Sequence, residues 1–233
     1  MELNADFSRR IAVHAAHMDW VSSPMAGVDR RMLDRIGDEV ARATSIVRYA
    51  PGSEFSRHTH GGGEEFLVLD GVFQDEHGDY PAGYYVRNPP TSSHTPGSTR
   101  GCTLFVKLWQ FDPKDRTEIR LDTNMMKFTP DQQHPGVSIM PLFQDRWENV
   151  RLERWDPNAH VELAVPCGME LLVLEGDFTE SDENFQTQSW LRLPAGSQLT
   201  ATAGVDGCQL WVKVLTKVSP APVRGGSESR QVE

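Results

Sequence analysis

The chain has 233 residues, which is enough for one large domain or two small ones. Lys and Arg number 23 against 33 Asp and Glu, so the formal net charge is −10 and the surface should repel the phosphates of nucleic acids. Direct binding of DNA or RNA is therefore not expected.

The sequence carries no pattern typical of export or membrane insertion. The first residues include acids where a signal peptide would have an apolar run, and no stretch is apolar for long enough to cross a bilayer. We expect a cytoplasmic protein with no membrane partner. The cysteines are Cys102, Cys167 and Cys208, an odd count without a disulfide framework, so reduced and mostly structural thiols are expected.

Residues before about Trp20 are expected to form a short helical arm that contains His14 and His17. The two imidazoles could share one face of a helix and reach a common metal ion. Because no third ligand lies nearby in the sequence, a solvated helix is the better interpretation. We assign neither histidine a role.

From Ala43 onward, short runs rich in Val, Ile, Thr, Phe and Tyr are separated by turn-forming Pro and Gly. This pattern is typical of many brief strands and predicts an all-β fold. Residues 113–135 are polar and contain several prolines, which predicts a connector, although residues 119–121 could add a strand to a neighbouring sheet. Residues 219–233 are rich in Pro, Gly and polar side chains and predict a disordered tail.

The two halves of the chain repeat one another. Adding 105 to the residue number maps the segment Glu-Phe-Leu-Val-Leu-Asp-Gly at 65–71 onto Glu-Leu-Leu-Val-Leu-Glu-Gly at 170–176. The same offset carries Phe73 onto Phe178, Arg87 onto Arg192 and Pro89 onto Pro194. The repeat predicts a duplicated domain, with a first copy at residues 20–112 and a second at 136–218.

One set of repeated positions differs sharply in chemistry between the copies. His58, His60, Glu64 and His94 become Leu163, Val165, Met169 and Leu199. An unpaired buried imidazole or carboxylate is costly, so an interior without a metal is better filled with aliphatic side chains. The sequence therefore predicts one divalent metal per chain, held in the first copy, and a degenerate second copy without metal ligands.

Strand geometry supports the same four ligands. His58 and His60 alternate on a strand and so face the same side. The three glycines at 61–63 allow the chain to reverse, after which Glu64 opens the next antiparallel strand beside them. A proline-containing turn then precedes His94, which could bring a fourth ligand to the same centre.

The spacing of these residues resembles the two motifs of the cupin superfamily. The first motif, G-x5-H-x-H-x3-E-x6-G, is matched in full over residues 52–71. The second, G-x5-P-x-G-x2-H-x3-N, is matched over residues 83–98, where His94 is kept while Thr91 and Ser98 replace the middle glycine and the final asparagine. The resemblance implies two cupin barrels, of the double-stranded β-helix or jelly-roll type, in tandem after the short helical arm.

The amino-acid sequence at residues 64–69, 75–83 and 86–90 resembles that of the cupin domain in the ChrR-type anti-sigma factors. In ChrR-type proteins the cupin stands behind a helical anti-sigma domain that holds its own zinc with histidines and a Cys-x-x-Cys pair. This chain has no cysteine before Cys102 and no Cys-x-x-Cys pair. The resemblance therefore implies the cupin, while the residues that would inhibit a sigma factor are not visible in the sequence.

Three imidazoles and one carboxylate suit Zn, Fe, Ni, Mn or Cu, so the ligand set does not select the metal. Resemblance to ChrR-type cupins implies zinc, and resemblance to catalytic cupins implies iron. Three functions remain open: a transcription-regulatory or stress-sensing protein that acts on a sigma factor or another protein, an iron-dependent dioxygenase with a small organic substrate, and a module that binds a small molecule in the first barrel without chemistry. Self-association as a homodimer also remains open.

Overall fold

The computed structural model describes residues 1–38 and 40–217. The predicted disordered tail at 219–233 lies outside these described residues. In the first half the strands are β1 (Glu2–Leu3), β2 (Ile11–His14), β3 (Val21–Ser22), β4 (Val28–Gly37), β5 (Ala41–Tyr49), β6 (Ser53–Glu54), β7 (His58–Thr59), β8 (Glu64–Asp75), β9 (Gly78–Pro81), β10 (Tyr84–Asn88), β11 (Ser93–His94), β12 (Gly97–Ser98), β13 (Cys102–Leu108) and β14 (Ile119–Asp122).

In the second half the strands are β15 (Thr129–Pro130), β16 (Val137–Gln144), β17 (Glu148–Trp155), β18 (His160–Val165), β19 (Met169–Glu180), β20 (Glu183–Gln186), β21 (Ser189–Leu193) and β22 (Ser197–Leu215). Single 3-10 turns at Ala15–His17 and Thr123–Met125 are the helical elements of the described chain. The all-β prediction is confirmed. Among the described residues, no helix has the length and apolar character needed to span a bilayer.

The chain divides into two compact units. The first contains Met1–Ala5 and Trp20–Asp122, and the second contains Asp6–Asp19 together with the described residues from Thr123 onward. Each unit is built of antiparallel strands in jelly-roll order, which confirms the prediction of tandem cupin barrels.

The main sheet of the first unit runs β1-β4-β5-β13-β8-β10-β14. Strand β8 is 12 residues long and serves two layers: its first half pairs with β13 and β10, and after Gly71 its second half pairs with β9 and β12. The short strands β7 and β11 pair only with each other in the described residues. The barrel interior is filled by Phe66, Val68, Phe73, Tyr80, Val86, Cys102, Leu104 and Val106.

The second unit has an equivalent sheet in the order β15-β16-β17-β22-β19-β21-β2. Strand β22, 19 residues long, pairs with β18 through its first residues and with β17 and β19 through its last ones. Cross-strand register shows the duplication directly. The row Val28, Tyr49, Cys102 in the first unit corresponds to the row Val137, Trp155, Cys208 in the second.

The predicted N-terminal helical arm is wrong. Ile11–His14 form a strand that pairs with β21, with Ile11 opposite Arg192, and only the next three residues make a 3-10 turn. In the first unit, β14 pairs with β10 in the same register, with Ile119 opposite Arg87. Each sheet would otherwise end in a row of unpaired backbone groups, so an edge strand satisfies them and overrides local helix propensity.

The connector predicted at 113–135 contributes to both sheets. Its residues Ile119–Asp122 form β14 in the first unit, and Thr129–Pro130 form β15 opposite Ile139 and Ser138 in the second. The additional strand considered for residues 119–121 in the sequence is therefore present.

A buried charged cluster recurs on the outer face of each main sheet. In the first unit Glu65 lies opposite both Arg87 and Lys107, and all three side chains are buried. Glu170, Arg192 and Lys213 repeat the arrangement in the second unit. Because the cluster is present in the unit with the histidines and in the unit without them, it serves the fold rather than a metal.

The cysteines are free thiols, as the sequence predicted. Cys102 and Cys208 are buried, and burial raises the pKa of Cys102 to about 11 and that of Cys208 to about 12. A thiol with so high a pKa is a weak nucleophile, so both behave as small apolar residues.

A glycine in the second unit provides a test of this packing. Gly176 has φ +69, and a Cβ there would lie 2.1 Å from the carbonyl oxygen of Gly207. Gly196 has φ +81 but open space around it. We expect Gly196→Ala to cost about 1–2 kcal/mol of unfolding free energy from its left-handed backbone alone, and Gly176→Ala to cost clearly more because the clash is with backbone. Urea denaturation measures both, and equal losses would contradict the packing.

Candidate metal centre

Three histidines of the first barrel are positioned by a short antiparallel ladder. Strands β7 and β11 place His58 directly opposite His94. Beyond β7, the backbone N–H of His60 donates to the carbonyl of Ser92 at 2.9 Å, and the N–H of Thr91 donates back to the carbonyl of His60 at 2.9 Å. The ladder therefore fixes the three backbone positions from which the imidazoles project.

The three imidazoles converge on one point. One ring nitrogen from each of His58, His60 and His94 lies within 4.8 Å of the other two. The ring centroids are 4.9, 4.9 and 4.7 Å apart, and all three pairs of rings meet edge to face. This spacing could hold a metal ion among the three nitrogens.

A carboxylate faces the same point. Oε2 of Glu64 lies 3.5 Å from Nε2 of His60 and 3.6 Å from Nε2 of His94. Asn88, which lies opposite Glu64 in the sheet, donates from Nδ2 to the same Oε2 at 3.1 Å. The structure thus brings all four residues singled out by the sequence to one place.

Two ring nitrogens at the centre are short of partners. Nε2 of His60 and Nε2 of His94 are buried and have no hydrogen-bond partner among the described residues. A buried polar atom left unsatisfied costs roughly 1–3 kcal/mol. A divalent cation would take these lone pairs together with the Glu64 carboxylate, so the residues fit a metal site.

Asp75 was not identified from the sequence, although it contacts the centre. Its Oδ2 lies 3.4 Å from Nδ1 of His94, and its Oδ1 accepts hydrogen bonds from the Tyr80 hydroxyl at 3.0 Å and from the His77 N–H at 2.8 Å. A carboxylate can only accept, so Nδ1 of His94 carries the proton and Nε2 is left with its lone pair toward the centre. The repeat gave no signal because the counterpart, Glu180, is also an acid.

The same contacts shift the protonation equilibria. Burial lowers the pKa of His94, but the hydrogen bond to Asp75 and the negative charge of Glu64 outweigh it, so that pKa is raised. Burial lowers the pKa of His60, and the charge of Glu64 only partly opposes this. Burial would raise the pKa of Asp75, but its hydrogen bonds from His94, His77 and Tyr80 lower it.

The glycine run at 61–63 makes room for aromatic rings as well as for a turn. Among its members only Gly63 has a positive φ, +77. A Cβ on Gly62 would lie 2.4 Å from the ring of Trp109, and one on Gly63 would lie 2.5 Å from the ring of Phe111. The two rings therefore seat the loop that joins His60 to Glu64.

The centre is open on one side. His60 and His94 are buried, whereas His58 is exposed. The exposed His58 therefore leaves one side of the centre accessible from solvent.

The second barrel shows what the same positions become without polar groups. Leu163 lies directly opposite Leu199, as His58 lies opposite His94. Val165, Met169 and Leu199 are at most 1% exposed and belong to the apolar core of that unit.

Comparison with known proteins agrees with this architecture. Residues 8–112 match the family model described as the ChrR cupin-like domain. No curated protein matches the sequence.

Solved structures share the fold along most of the chain. A candidate dioxygenase from Nostoc punctiforme superposes with a TM-score of 0.75 at 16% identity, covering 95% of this chain and 88% of that one. A bacterial pirin from Escherichia coli in complex with nickel(II) gives 0.59 at 16% identity, covering 89% and 99%. An oxalate decarboxylase from Lactobacillus farciminis in a formate complex gives 0.60 at 10% identity, covering 92% and 87%.

At these identities the likeness to solved structures concerns the fold, and the family model covers most of the first barrel together with residues 8–19, which pack in the second unit. Residues 8–112 are therefore similar to the ChrR cupin-like domain, and the chain as a whole has the bicupin fold.

Proposed function

We propose that the first barrel is a metal centre in which His58, His60, Glu64 and His94 bind one divalent ion, and that this centre acts on a small organic molecule. The observation that carries the proposal is the pair of buried Nε2 atoms that face the Glu64 carboxylate and have no hydrogen-bond partner within residues 1–38 and 40–217. With three nitrogens and one oxygen from the protein, a six-coordinate metal would keep positions for an external ligand.

The reaction class that fits best is an iron-dependent dioxygenase. Bound iron would supply oxygen activation and polarisation of the substrate. The chain's own residues would orient the ligands: Asp75 holds the proton on Nδ1 of His94, and Asn88 holds the Glu64 carboxylate. The exposed side at His58 would give access, and the fold shared with a candidate dioxygenase supports this class.

A second candidate is a regulatory protein that senses a metal or small molecule and acts through a protein partner. The match of residues 8–112 to the ChrR cupin-like domain favours it. Zinc would then be the metal, and a sigma factor or another regulatory protein the partner.

We expect one metal per chain, because of the two barrels, as far as their residues are described, the first offers this set of ligands and the second has aliphatic side chains there. His60→Ala should remove most of the metal, while Val165→Ala, the equivalent position in the second barrel, should leave the metal in place and cost only about 0.5–3 kcal/mol of stability through a core cavity. Elemental analysis of the purified variants measures this. A stoichiometry near two, or equal metal loss in both variants, would contradict the assignment.

Asp75 should act through the orientation of His94. We expect Asp75→Asn to weaken metal affinity about 10–100-fold, measured by competition with a chromophoric chelator, because the amide no longer selects the required tautomer. Asp79→Asn is the matched control, since it removes the same charge from the same turn at an exposed side chain bonded to Gln74. Equal affinities for the two variants would show that Asp75 does not position His94.

The dioxygenase should consume oxygen only when iron is bound. In an oxygen electrode, Fe(II)-loaded protein should show uptake with a member of a panel of small diketones and phenols. Glu64→Ala should abolish the uptake, while the exposed Glu54→Ala should not. Retention of zinc through purification, with no uptake by the iron-loaded protein across the panel, would instead favour the regulatory candidate.

A further inference from the structure

A hydrogen-bond network begins behind His94 and ends at an arginine that follows the first barrel in the sequence. Oδ2 of Asp75 lies 3.4 Å from Nδ1 of His94, and Oδ1 of the same carboxylate accepts from the Tyr80 hydroxyl at 3.0 Å. The Tyr80 oxygen accepts from Nε of Arg120 at 2.9 Å. The network therefore joins a proposed metal ligand to strand β14.

The chemistry of the four groups fixes the direction of each bond. A guanidinium group only donates and a carboxylate only accepts. The single hydroxyl proton of Tyr80 therefore goes to Asp75, and the Tyr80 oxygen is the acceptor for Arg120. A hydroxyl that accepts from a cation is polarised and becomes a better donor. The Asp75 carboxylate is thus held at Oδ1, which leaves Oδ2 for the N–H of His94.

The main sheet places Arg120 beside the barrel core. Arg120 lies opposite Val86, which lies opposite Phe66, and both of these apolar residues belong to the core. Residues directly opposite in an antiparallel sheet share a face. The Arg120 side chain is 26% exposed, and its Nη1 donates to Glu118 at the surface. One side of the guanidinium is therefore engaged at the surface, while Nε is engaged with the buried Tyr80.

The second barrel serves as an internal control for the two donors. The offset of 105 carries Tyr80 onto Phe185, which has no hydroxyl. The register of the two edge strands places Ala12 at the position of Arg120. Both donors of the network are thus replaced by apolar side chains in the barrel whose histidine positions are aliphatic.

The acid at the end of the long strand is common to both barrels, but its partners differ. Glu180, the counterpart of Asp75, accepts from Nη2 of Arg10 at 2.6 Å and from the Ser181 hydroxyl at 2.7 Å. The fold therefore accommodates this acid with other partners. The tyrosine hydroxyl and the arginine behind Asp75 accompany the histidines and not the fold.

We propose that Tyr80 and Arg120 are positioning residues of the metal centre, which act through Asp75 to hold His94 with its Nε2 toward the metal. The proposal rests on the proposed function, because it concerns the same metal. A carboxylate that accepts from a metal-binding histidine fixes the orientation of the ring and raises the basicity of its other nitrogen, and the groups that hold the carboxylate share in that effect. Strand β14 thereby completes the centre from outside the barrel sequence.

Cobalt(II) binding by the full chain tests the proposal, since the visible absorption bands of bound Co(II) report the geometry of its ligands. Tyr80→Phe removes the hydroxyl and keeps a ring that the second barrel accommodates as Phe185. It should weaken Co(II) binding about 3–10-fold, the effect of one net hydrogen bond, in competition with a chromophoric chelator. It should also shift the visible bands. Tyr84→Phe makes the same change on the neighbouring ring, 5.6 Å away between ring centres, and should leave both measurements unchanged.

Substitutions of the arginine test whether it acts through the tyrosine. Arg120→Ala should weaken Co(II) binding and shift the bands as Tyr80→Phe does, and Arg120→Lys should recover part of both. Arg116→Ala, at an exposed arginine of the same segment, should resemble the wild type. The combined Tyr80→Phe and Arg120→Ala variant should bind no more weakly than the weaker single variant, because the two residues act in series. Neither substitution should weaken binding further in an Asp75→Asn background.

Thermal unfolding shows which variants are folded, and Tyr80→Phe decides the outcome if Arg120→Ala is not. Wild-type affinity and spectrum in folded Tyr80→Phe would overturn the positioning role and leave the metal centre standing. Losses that persist in the Asp75→Asn background would overturn it as well, because the two residues would then act by another route. A wild type that binds neither Co(II) nor Zn(II) would overturn the metal proposal and the positioning role together.

Discussion

The cost of burying a polar group without a partner governs the interior of both barrels. The second barrel meets this constraint by having leucine, valine and methionine at the four positions, and they pack into a continuous apolar core. The first barrel has imidazoles and a carboxylate there, and two of its ring nitrogens have no hydrogen-bond partner among the described residues. A divalent cation bound among them would take the two nitrogen lone pairs and the Glu64 carboxylate together.

A second constraint, the pairing of the edge of each main sheet, is the same in both units. Each main sheet needs an edge strand, and each uses one drawn from a segment outside its own barrel sequence: β14 follows the first barrel, and β2 comes from near the N-terminus. Each sheet also carries a buried Glu, Arg and Lys cluster at matching positions. An aromatic ring covers the arginine in both, Phe111 over Arg87 and Phe7 over Arg192. These shared features are the scaffold, and the interior differences are the function.

The centre of the first barrel is supported from two directions. Asn88 holds Glu64 from the main sheet, and Asp75 holds His94 from the end of β8. Because β8 begins at Glu64 and ends at Asp75, a single strand supplies both a proposed ligand and the residue that orients another. The long strand that defines the jelly roll therefore also couples the folding of the barrel to the geometry of the site.

The sequence by itself determined the duplication, the all-β class and the four candidate ligands. Those depend on residue type at fixed spacing, and the apolar counterparts in the second copy showed which positions point inward. Tertiary structure alone decided that Ile11–His14 form a strand, because the edge that recruits them lies some 180 residues away at Ile11 opposite Arg192. It alone placed Asp75 on His94, because a strand's alternation assigns a side chain to one of two faces but only the register with its neighbours says which face is the interior.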